Sequence, residues 1–342
     1  ERIHMEITVL SQAELKQVLE LDRVIASVES VYKQKAGGQT AVWPSVEYHF
    51  EEEQAVMDIR SGYLAGDKLH GAKMLNNFPL NAQAGLPAFT GMLLIFDSTS
   101  GMPLALMDAS YITSMRTGAA AALGVRTLAR KNSKNLLLVG AGRQAFFMVA
   151  ATLLAMPQLE NVRVHDPLNS ANAEEFVSQI EMRLKAELNL NLSGKISFTA
   201  CNDLQAVLQD SDAVITVTRA TSPIIKQEWV KKGTHFSCIG ADMLGKEELD
   251  PELFRTARAF VDDKKQCLAF GEMEIPYKAG IISEQSIQAE LGEVLAGTAT
   301  GRISEEDITI FDATGLALLD IATGKLALNL AREKGLGQKA SI

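Results

Sequence analysis

A short apolar run that ends in a glycine turn constrains this chain more than any other feature. The run is Asn135–Val139, and the turn after it reads Gly140-Ala-Gly142-Arg-Gln-Ala145. An uncharged apolar run of this length predicts a strand that is buried on both faces of a parallel sheet. Glycines allow a tight turn and a close approach of the backbone to a ligand. A helix predicted from Arg143 to Met156 would direct its unpaired N–H groups at that turn, which makes an anion site.

The turn has the G-x-G-x-x-A form of the dinucleotide-binding fingerprint, and predicts cofactor contacts at Gly140, Gly142 and Arg143. A second apolar strand, Val162–His165, ends at Asp166. In such folds an acidic residue about 20 residues after the glycines accepts the ribose hydroxyls, which favours NAD over NADP. The alternative interpretation is an ordinary strand–helix turn followed by a surface aspartate.

The pattern of apolar residues divides the chain into two kinds of structure. From residue 135 to residue 311, strands alternate with helices, which predicts a parallel sheet. Between residues 41 and 106 the runs alternate with turns, which predicts antiparallel hairpins. We therefore expect an α/β protein with a Rossmann-type doubly wound sheet at residues 123–311 and a discontinuous α+β domain at residues 5–122 and 312–342.

The two ends of the chain carry weaker signals. The residues before Met5 are expected to be additions to the natural protein. The polar tail from Gly335 is expected to be mobile.

Composition excludes several classes of protein. The net charge of -9 argues against nucleic acid as the main partner. Because no long uncharged apolar run occurs, no membrane span is expected. Three widely spaced cysteines predict neither a disulfide framework nor a zinc site, and favour a reduced, cytoplasmic setting. Cys238 is interpreted as a small core residue.

Three charged residues interrupt apolar or small-residue stretches. Lys73 lies in a predicted strand that leads into a loop. Arg116 lies near Thr113, the predicted start of an alanine-rich helix, where the helix dipole disfavours a cation, so we expect it to face an anion. Asp242 follows an apolar strand, at the edge where open α/β sheets bind ligands. The alternatives are a surface lysine, a surface arginine and a helix-capping aspartate.

Two further positions are candidates for cofactor contacts. Thr216 and Thr218 end another strand of the predicted parallel sheet, and their hydroxyls are expected at the same edge. Lys246 follows Asp242 by four residues and is expected near the nicotinamide. Ordinary β-branched strand residues and a solvated lysine are the alternatives.

Nine segments resemble the ornithine cyclodeaminase/μ-crystallin family, and are most similar to its archaeal-type alanine dehydrogenase branch. In chain order they are Gly85–Pro87, Thr99–Ala109, Thr113–Ala119, Leu128–Ser133, Gly140–Ala145, Glu228–His235, Ile239–Asp242, Gly292–Gly297 and Ile310–Ala317. The resemblance implies a central NAD-binding Rossmann domain and a substrate domain that pairs into a dimeric barrel, and hence a homodimer.

The resemblance also implies roles for single residues. Lys73 and Arg116 would hold the substrate carboxylate or imine, Asp242 would be the acid or base, and Thr314 would line the junction of nicotinamide and substrate. Further cofactor contacts are implied at Gln144, Asp166, Ile239, Gly240 and Lys246.

Two positions depart from the family pattern. A cation usually follows the early proline, whereas here Ser45 follows Pro44, and Ala88 replaces the usual threonine after Gly-Leu-Pro. Arg60 is the candidate to supply the missing charge, with a surface position as the alternative. The substrate pocket is therefore expected to differ from that of the relatives.

Together these features predict an NAD-dependent oxidoreductase that acts at the α-carbon of a small L-amino acid or on the corresponding imine. Water attack on the imine would give oxidative deamination, as in alanine dehydrogenase. Attack by a side-chain amine would make the protein a cyclodeaminase, and the reverse reaction a cyclic ketimine reductase. A non-catalytic μ-crystallin-like binding protein is the remaining alternative.

Overall fold

A computed structural model describes residues 5–191 and 196–341. The expectation for residues 1–4 lies outside the described residues. Within them the α-helices are α1 Gln12–Val18, α2 Leu21–Ala36, α3 Ala109–Leu128, α4 Ala145–Ala155, α5 Ser170–Leu188, α6 Leu204–Asp210, α7 Lys264–Phe270, α8 Glu274–Lys278, α9 Leu291–Leu295 and α10 Ala317–Glu333.

The strands of the described residues form three sheets. They are β1 Glu6–Leu10, β2 Thr40–Val42, β3 Val46–Phe50, β4 Ala55–Leu64, β5 Leu69–Asn77, β6 Phe89–Asp97, β7 Pro103–Asp108, β8 Asn135–Val139, β9 Asn161–His165, β10 Ser197–Ala200, β11 Ala213–Thr216, β12 Thr221–Ile225, β13 His235–Cys238, β14 Glu247–Leu249, β15 Arg258–Val261, β16 Ile287–Glu290, β17 Thr309–Asp312 and β18 Gln338–Ser341.

The chain forms two compact units. The first contains the described residues up to Arg116 and those from Leu316 onwards, and the second runs from Thr117 to Gly315. These boundaries lie a few residues from the expected ones, at residues 122 and 312. The central position of the second unit makes the first unit discontinuous in sequence.

The first unit is a sheet with strand order β18-β1-β7-β6-β5-β4-β2, with β3 also paired to β4. All pairs are antiparallel except β1 with β7. Helix α10 packs on one face, where Gly71 of β5 permits close approach: a Cβ atom there would lie 3.1 Å from Cγ1 of Ile321. This approach brings the second turn of α10 over the middle of β5.

The second unit is a parallel sheet with strand order β10-β9-β8-β11-β13-β17-β15-β16. Its central strands are fully buried, as the apolar run Leu136–Val139 predicts. A separate two-stranded sheet pairs β12 with β14. The predicted α/β fold class is confirmed. No helix in the part of the chain that the structure describes is long and apolar enough to cross a membrane.

Two local predictions were wrong. Helix α3 begins at Ala109 rather than Thr113, because Asp108 accepts the Tyr111 N–H at 3.0 Å and caps it. Arg116 therefore lies two turns into α3, away from its N-terminus. The tail is also ordered as β18, which pairs antiparallel with β1, because backbone pairing to an edge strand needs no apolar side chains.

Candidate active site

A buried cluster of two cations and one carboxylate lies in the first unit. The Lys73 ammonium lies 2.9 Å from Oδ2 of Asp320, and Nε of Arg116 lies 3.0 Å from Oδ1 of the same carboxylate. The Lys73 ammonium also donates to the Thr113 hydroxyl at 3.4 Å. Lys73, Arg116 and Asp320 are each less than a tenth exposed, which makes these hydrogen bonds charge-assisted and shielded from water.

Three elements supply the cluster. Lys73 comes from β5, Arg116 from α3 and Asp320 from α10. Lys73 stands on the covered face of the sheet, because its direct cross-strand partner Leu93 is fully buried. The predicted pairing of Arg116 with an anion is thus observed, although the predicted position at a helix start was wrong.

The charged groups in the cluster shift one another's pKa values. Burial lowers the pKa of Lys73 to about 8, and the Arg116 charge acts in the same direction. The Asp320 carboxylate opposes both. Burial alone would raise the pKa of Asp320, but the charges of Arg116 and Lys73 hold it below its ordinary value. Asp320 is therefore ionised at neutral pH.

The cluster has unused capacity for an anion. Within the described residues, Arg116 makes one hydrogen bond, from its Nε to Asp320. Both of its terminal amino groups therefore remain available. Lys73 directs two of its three N–H bonds at Asp320 and Thr113. With Lys73 protonated, two cations and one carboxylate carry one net positive charge, which matches a single carboxylate ligand.

Arg60 lies beside this cluster. It is the direct cross-strand partner of Lys73, and cross-strand partners point to the same face of a sheet. Its charge lowers the pKa of Lys73 further. Nε of Arg60 lies 2.7 Å from Asp58, and its side chain is 11% exposed. Arg60 therefore lies beside the buried cluster rather than at the surface.

The glycine turn of the second unit has room for a ligand. Gly140 has a φ of +105°, and a Cβ atom there would lie 2.9 Å from the Val217 carbonyl oxygen, so only glycine fits. At Gly142 a Cβ atom would meet no described atom within 4 Å. Among the described residues, the buried Oε1 of Gln144 has no hydrogen-bond partner and no side chain caps α4. The open space at Gly142 and the uncapped N–H groups of α4 fit a pyrophosphate at the helix N-terminus, whereas the Gln144 oxygen is suited to a donor such as a hydroxyl group.

Asp166 closes this turn from the next strand. Its Oδ2 accepts the Ala141 N–H at 2.9 Å, and its Oδ1 accepts the N–H groups of Leu168 and Asn169. Burial raises the pKa of Asp166, but these N–H groups lower it by more, so the carboxylate is ionised. Asp166 therefore shapes the turn and places an ionised carboxylate beside it.

A second cation accompanies Arg143 at the glycine turn. Burial lowers the pKa of Arg143, and the nearby charge of Arg219 adds to this effect. Two adjacent guanidinium groups favour an anion between them. Sequence reasoning missed Arg219, although it directly follows Thr218.

The two threonines at and after the end of β11 are hydrogen-bonded within the second unit. The Thr216 hydroxyl is fully buried and donates to Oε2 of Glu248 at 2.6 Å. Glu248 also accepts the N–H groups of Thr218 and Gly240. The Thr216 hydroxyl is therefore already a donor to a carboxylate of β14, and its contact with the cofactor stays a prediction. Glu248 shapes both loops that follow β11 and β13.

Asp242 and Lys246 form an ion pair on the loop after β13. The Lys246 ammonium lies 2.5 Å from Oδ1 of Asp242 and 3.3 Å from the Gly240 carbonyl oxygen. Asp242 is 41% exposed and is thus open to solutes. Ile239 is buried, and its N–H pairs with the Thr216 carbonyl oxygen. Asp242 therefore carries the accessible carboxylate of this loop.

Thr314 lies after β17 in the second unit. Its hydroxyl donates to Oδ1 of Asp262 at 3.1 Å, and the side chain is buried. This contact gives Thr314 a structural role, and its role at the junction of nicotinamide and substrate stays a prediction.

Asp320 is the main residue that sequence reasoning missed. The available signal was a single acidic residue within the apolar stretch Ala317–Ala322. A charged residue on a face that is otherwise apolar is expected to be paired when it is buried.

Comparisons with known proteins agree with this architecture. The family model described as "Ornithine cyclodeaminase/mu-crystallin family" matches residues 5–335. An alanine dehydrogenase from Archaeoglobus fulgidus is 36% identical over 337 residues, which cover 98% of each chain. An archaeal alanine dehydrogenase dimer with bound NAD has a TM-score of 0.89 and 34% identity, over 98% of this chain and 99% of that one.

A further solved structure is equally similar. It is the Thermococcus litoralis Δ1-pyrroline-2-carboxylate reductase in complex with NADH and L-proline, with a TM-score of 0.89 and 32% identity, over 97% of this chain and 99% of that one. The resemblance found in the sequence is confirmed: the chain belongs to the ornithine cyclodeaminase/μ-crystallin family.

Proposed function

We propose that this protein is an NAD-dependent oxidoreductase that acts at the α-carbon of a small L-amino acid, or reduces the corresponding imine, in the manner of an alanine dehydrogenase. The observation that carries the proposal is the buried cluster of Lys73, Asp320 and Arg116, which has one net positive charge and two available amino groups on Arg116.

Arg116 and Lys73 bind the substrate α-carboxylate in this proposal. The terminal amino groups of Arg116 match the two oxygens of a carboxylate, and Lys73 adds a point charge. Burial excludes water and strengthens both contacts. A single uncompensated charge favours a substrate with one carboxylate over a dicarboxylate.

The glycine turn, Gln144 and Asp166 hold the dinucleotide, with Arg143 and Arg219 beside its pyrophosphate. Asp166 accepts hydrogen bonds from the ribose hydroxyls. In NADP a 2′-phosphate replaces one of these hydroxyls, so NAD is favoured over NADP. When bound, the nicotinamide supplies the hydride chemistry at the α-carbon. The names of two relatives with bound NAD or NADH support this choice of cofactor.

Asp242 is the proposed general base. Oxidation of an amino acid to the protonated imine releases one proton, and the water that attacks the imine passes a second proton to the departing amine, so an accessible carboxylate is required to accept and return protons. Asp242 meets this requirement because it is exposed and lies on a loop at the carboxyl end of β13. Lys246 holds the Asp242 carboxylate in place.

Reduction of a cyclic imine is the second candidate function. It is favoured by the similarity to the pyrroline-2-carboxylate reductase, which uses the same cofactor with a cyclic imino acid. Cyclodeamination is less well supported, because it needs an acidic partner for a distal ammonium group, and Asp58 is paired with Arg60.

A substrate panel tests the proposed function. Formation of NADH is measured with L-amino acids, and loss of NADH with 2-oxo acids plus ammonia and with cyclic imino acids. Mass spectrometry of the product separates ring closure from deamination. We expect turnover with a small monocarboxylic substrate. Tight NADH binding without turnover on any of these substrates would instead identify a cofactor-binding protein.

We also propose that the protein is a homodimer. The sheet face opposite α10 exposes apolar residues of three strands, namely Val46, Tyr48, Met74 and Met92. The register places Val46, Met74 and Met92 on one face, since they belong to one cross-strand row. A contiguous exposed apolar face of this kind marks a protein interface.

A further inference from the structure

Asp320 presents a physical problem for the proposed function. It is a fully buried anion that lies against the two cations proposed to bind a substrate carboxylate. Like charges in a low-dielectric site repel each other, so Asp320 alone would weaken carboxylate binding. A buried anion at this position therefore needs a compensating contribution to the site.

The geometry indicates what that contribution is. Each Asp320 oxygen takes a different cation: Oδ1 accepts from Nε of Arg116 and Oδ2 accepts from the Lys73 ammonium. Contact through Nε restrains the guanidinium and leaves its two terminal amino groups without a hydrogen bond to Asp320. The carboxylate stands on α10, which the close contact at Gly71 holds against β5.

We propose that Asp320 is a positioning residue of the substrate site, which orients the Arg116 guanidinium and keeps the Lys73 ammonium charged so that both receive a substrate carboxylate. This inference rests on the proposed function of the same cluster, and it assigns Asp320 no direct contact with the substrate.

The charged groups around Lys73 support the second part of the proposal. From β4, Arg60, which is paired with Asp58, disfavours the charged ammonium, and from α3 Arg116 disfavours it as well. The neighbours Leu93 and Thr113 carry no charge. Asp320 on α10 is the anion that lies in direct contact with the ammonium. Without Asp320, Lys73 would lose its proton at lower pH. One of the two cations that bind the substrate carboxylate would then be lost.

Pyruvate binding tests the proposal, because its carboxylate stays ionised from about pH 6 to about pH 10. Calorimetric titration of the NADH complex with pyruvate is compared for wild type, Asp320→Asn and Asp320→Glu. In wild type, affinity is expected to fall as pH rises through about 8, where Lys73 loses its proton. In Asp320→Asn we expect affinity to fall roughly tenfold or more at neutral pH, and the alkaline decline to begin at lower pH.

Asp320→Glu separates orientation from charge. It keeps the anion but displaces it by one methylene, so affinity is expected to fall while the position of the alkaline decline stays near that of wild type. Asp67→Asn is the matched control, because it removes another ion pair of α10, the 2.6 Å contact with Lys325, and it should behave as wild type. Thermal unfolding and NADH affinity verify that each variant is folded.

The outcomes are distinct. If Asp320→Asn binds pyruvate as wild type does, with an unchanged pH dependence, the positioning role is wrong. Should Asp320→Asn not fold, an unchanged affinity in Asp320→Glu overturns the orienting role on its own. A wild type that binds pyruvate but turns over no amino or imino acid refutes the proposed function and leaves the role of Asp320 standing. Absence of pyruvate binding in wild type overturns the role of Asp320 in receiving a carboxylate, and together with no turnover on the substrate panel it refutes both.

Discussion

Oδ2 of Asp320 lies 2.9 Å from the Lys73 ammonium, although 247 positions separate the two residues in the chain. The contact joins the last helix of the first unit to the middle of the sheet in the same unit. In the sequence, the whole second unit lies between the two residues. It places a buried anion next to two cations that have capacity for a further anion. The pH behaviour and the substrate preference of the protein are expected to follow from this arrangement.

Replacement of Arg60 by methionine is expected to shift the pH dependence in the direction opposite to that of Asp320→Asn. The Arg60 charge lowers the pKa of Lys73, so its removal raises that pKa and moves the alkaline decline in pyruvate affinity to higher pH. A loss of affinity at neutral pH would indicate in addition that Arg60 contacts the carboxylate. Lys325→Met, which removes a cation of the same unit, is the control. An unchanged profile would place Arg60 outside the pocket.

The two glycines of the turn are expected to respond differently to alanine. Gly140→Ala forces a left-handed backbone and a clash with the Val217 carbonyl oxygen, and should lower the free energy of unfolding by about 1–3 kcal/mol. Gly142→Ala adds a methyl group where no described atom lies within 4 Å. It should leave unfolding unchanged and weaken NADH binding roughly tenfold. Urea unfolding and NADH fluorescence titration measure both effects. Equal NADH affinity in Gly142→Ala would contradict a pyrophosphate at this turn.

Asp312 makes the stability of the second unit sensitive to alkaline pH. Burial and the neighbouring Asp262 charge raise the pKa of Asp312 to about 8. In the unfolded chain the pKa is about 3.9, so the folded state binds this proton more tightly. The associated stability is present at low pH and is lost as pH rises from the unfolded value through the folded one.

Asp312→Asn removes this proton and keeps an oxygen for the Met273 N–H, which Asp312 accepts at 3.0 Å. Between pH 6 and pH 8 the wild type should lose about 2 kcal/mol more of its unfolding free energy than the variant does. Urea unfolding across this range measures the difference. Glu306→Gln removes an exposed carboxylate and serves as the control. Parallel pH profiles for wild type and Asp312→Asn would refute the prediction.

Asp242→Asn is expected to lower turnover about 10²–10⁴-fold if Asp242 is the general base, because the amide has almost the same shape but accepts no proton. NADH affinity should change little. Steady-state kinetics with the best substrate of the panel, together with NADH titration, separates the two effects. Asp250→Asn, which alters another aspartate of the second unit, is the comparison variant. Unchanged turnover in Asp242→Asn would show that the base is elsewhere.

Met92→Asp tests the exposed sheet face. Met92 is 61% exposed in the single chain, and a charge buried at a dimer interface would be strongly destabilising. Light scattering during size-exclusion chromatography should report a dimer for wild type and a monomer for the variant. Met182→Asp introduces the same charge at an exposed methionine of α5 and should leave the dimer intact. A dimeric Met92→Asp protein would exclude this face as the interface.

Much of the fold could be predicted from the sequence, because its signals are local. The run Leu136–Val139 predicts a buried parallel strand, and the glycine turn after it requires the left-handed backbone that the structure shows at Gly140. Ser11 and Glu14 form the capping box that starts α1. The tail is the exception, because β18 owes its order to an edge strand that is distant in sequence.

The sequence by itself determined the fold class, the family and the glycine turn, since each depends on residue types at short, fixed spacings. Only the tertiary structure decided which charges meet. Lys73, Arg116 and Asp320 come from three elements, and Thr216 donates to Glu248, which lies 32 positions further along the chain. The physical reason is that burial and distance set the strength of charge interactions, and both depend on packing between segments that are far apart in the chain.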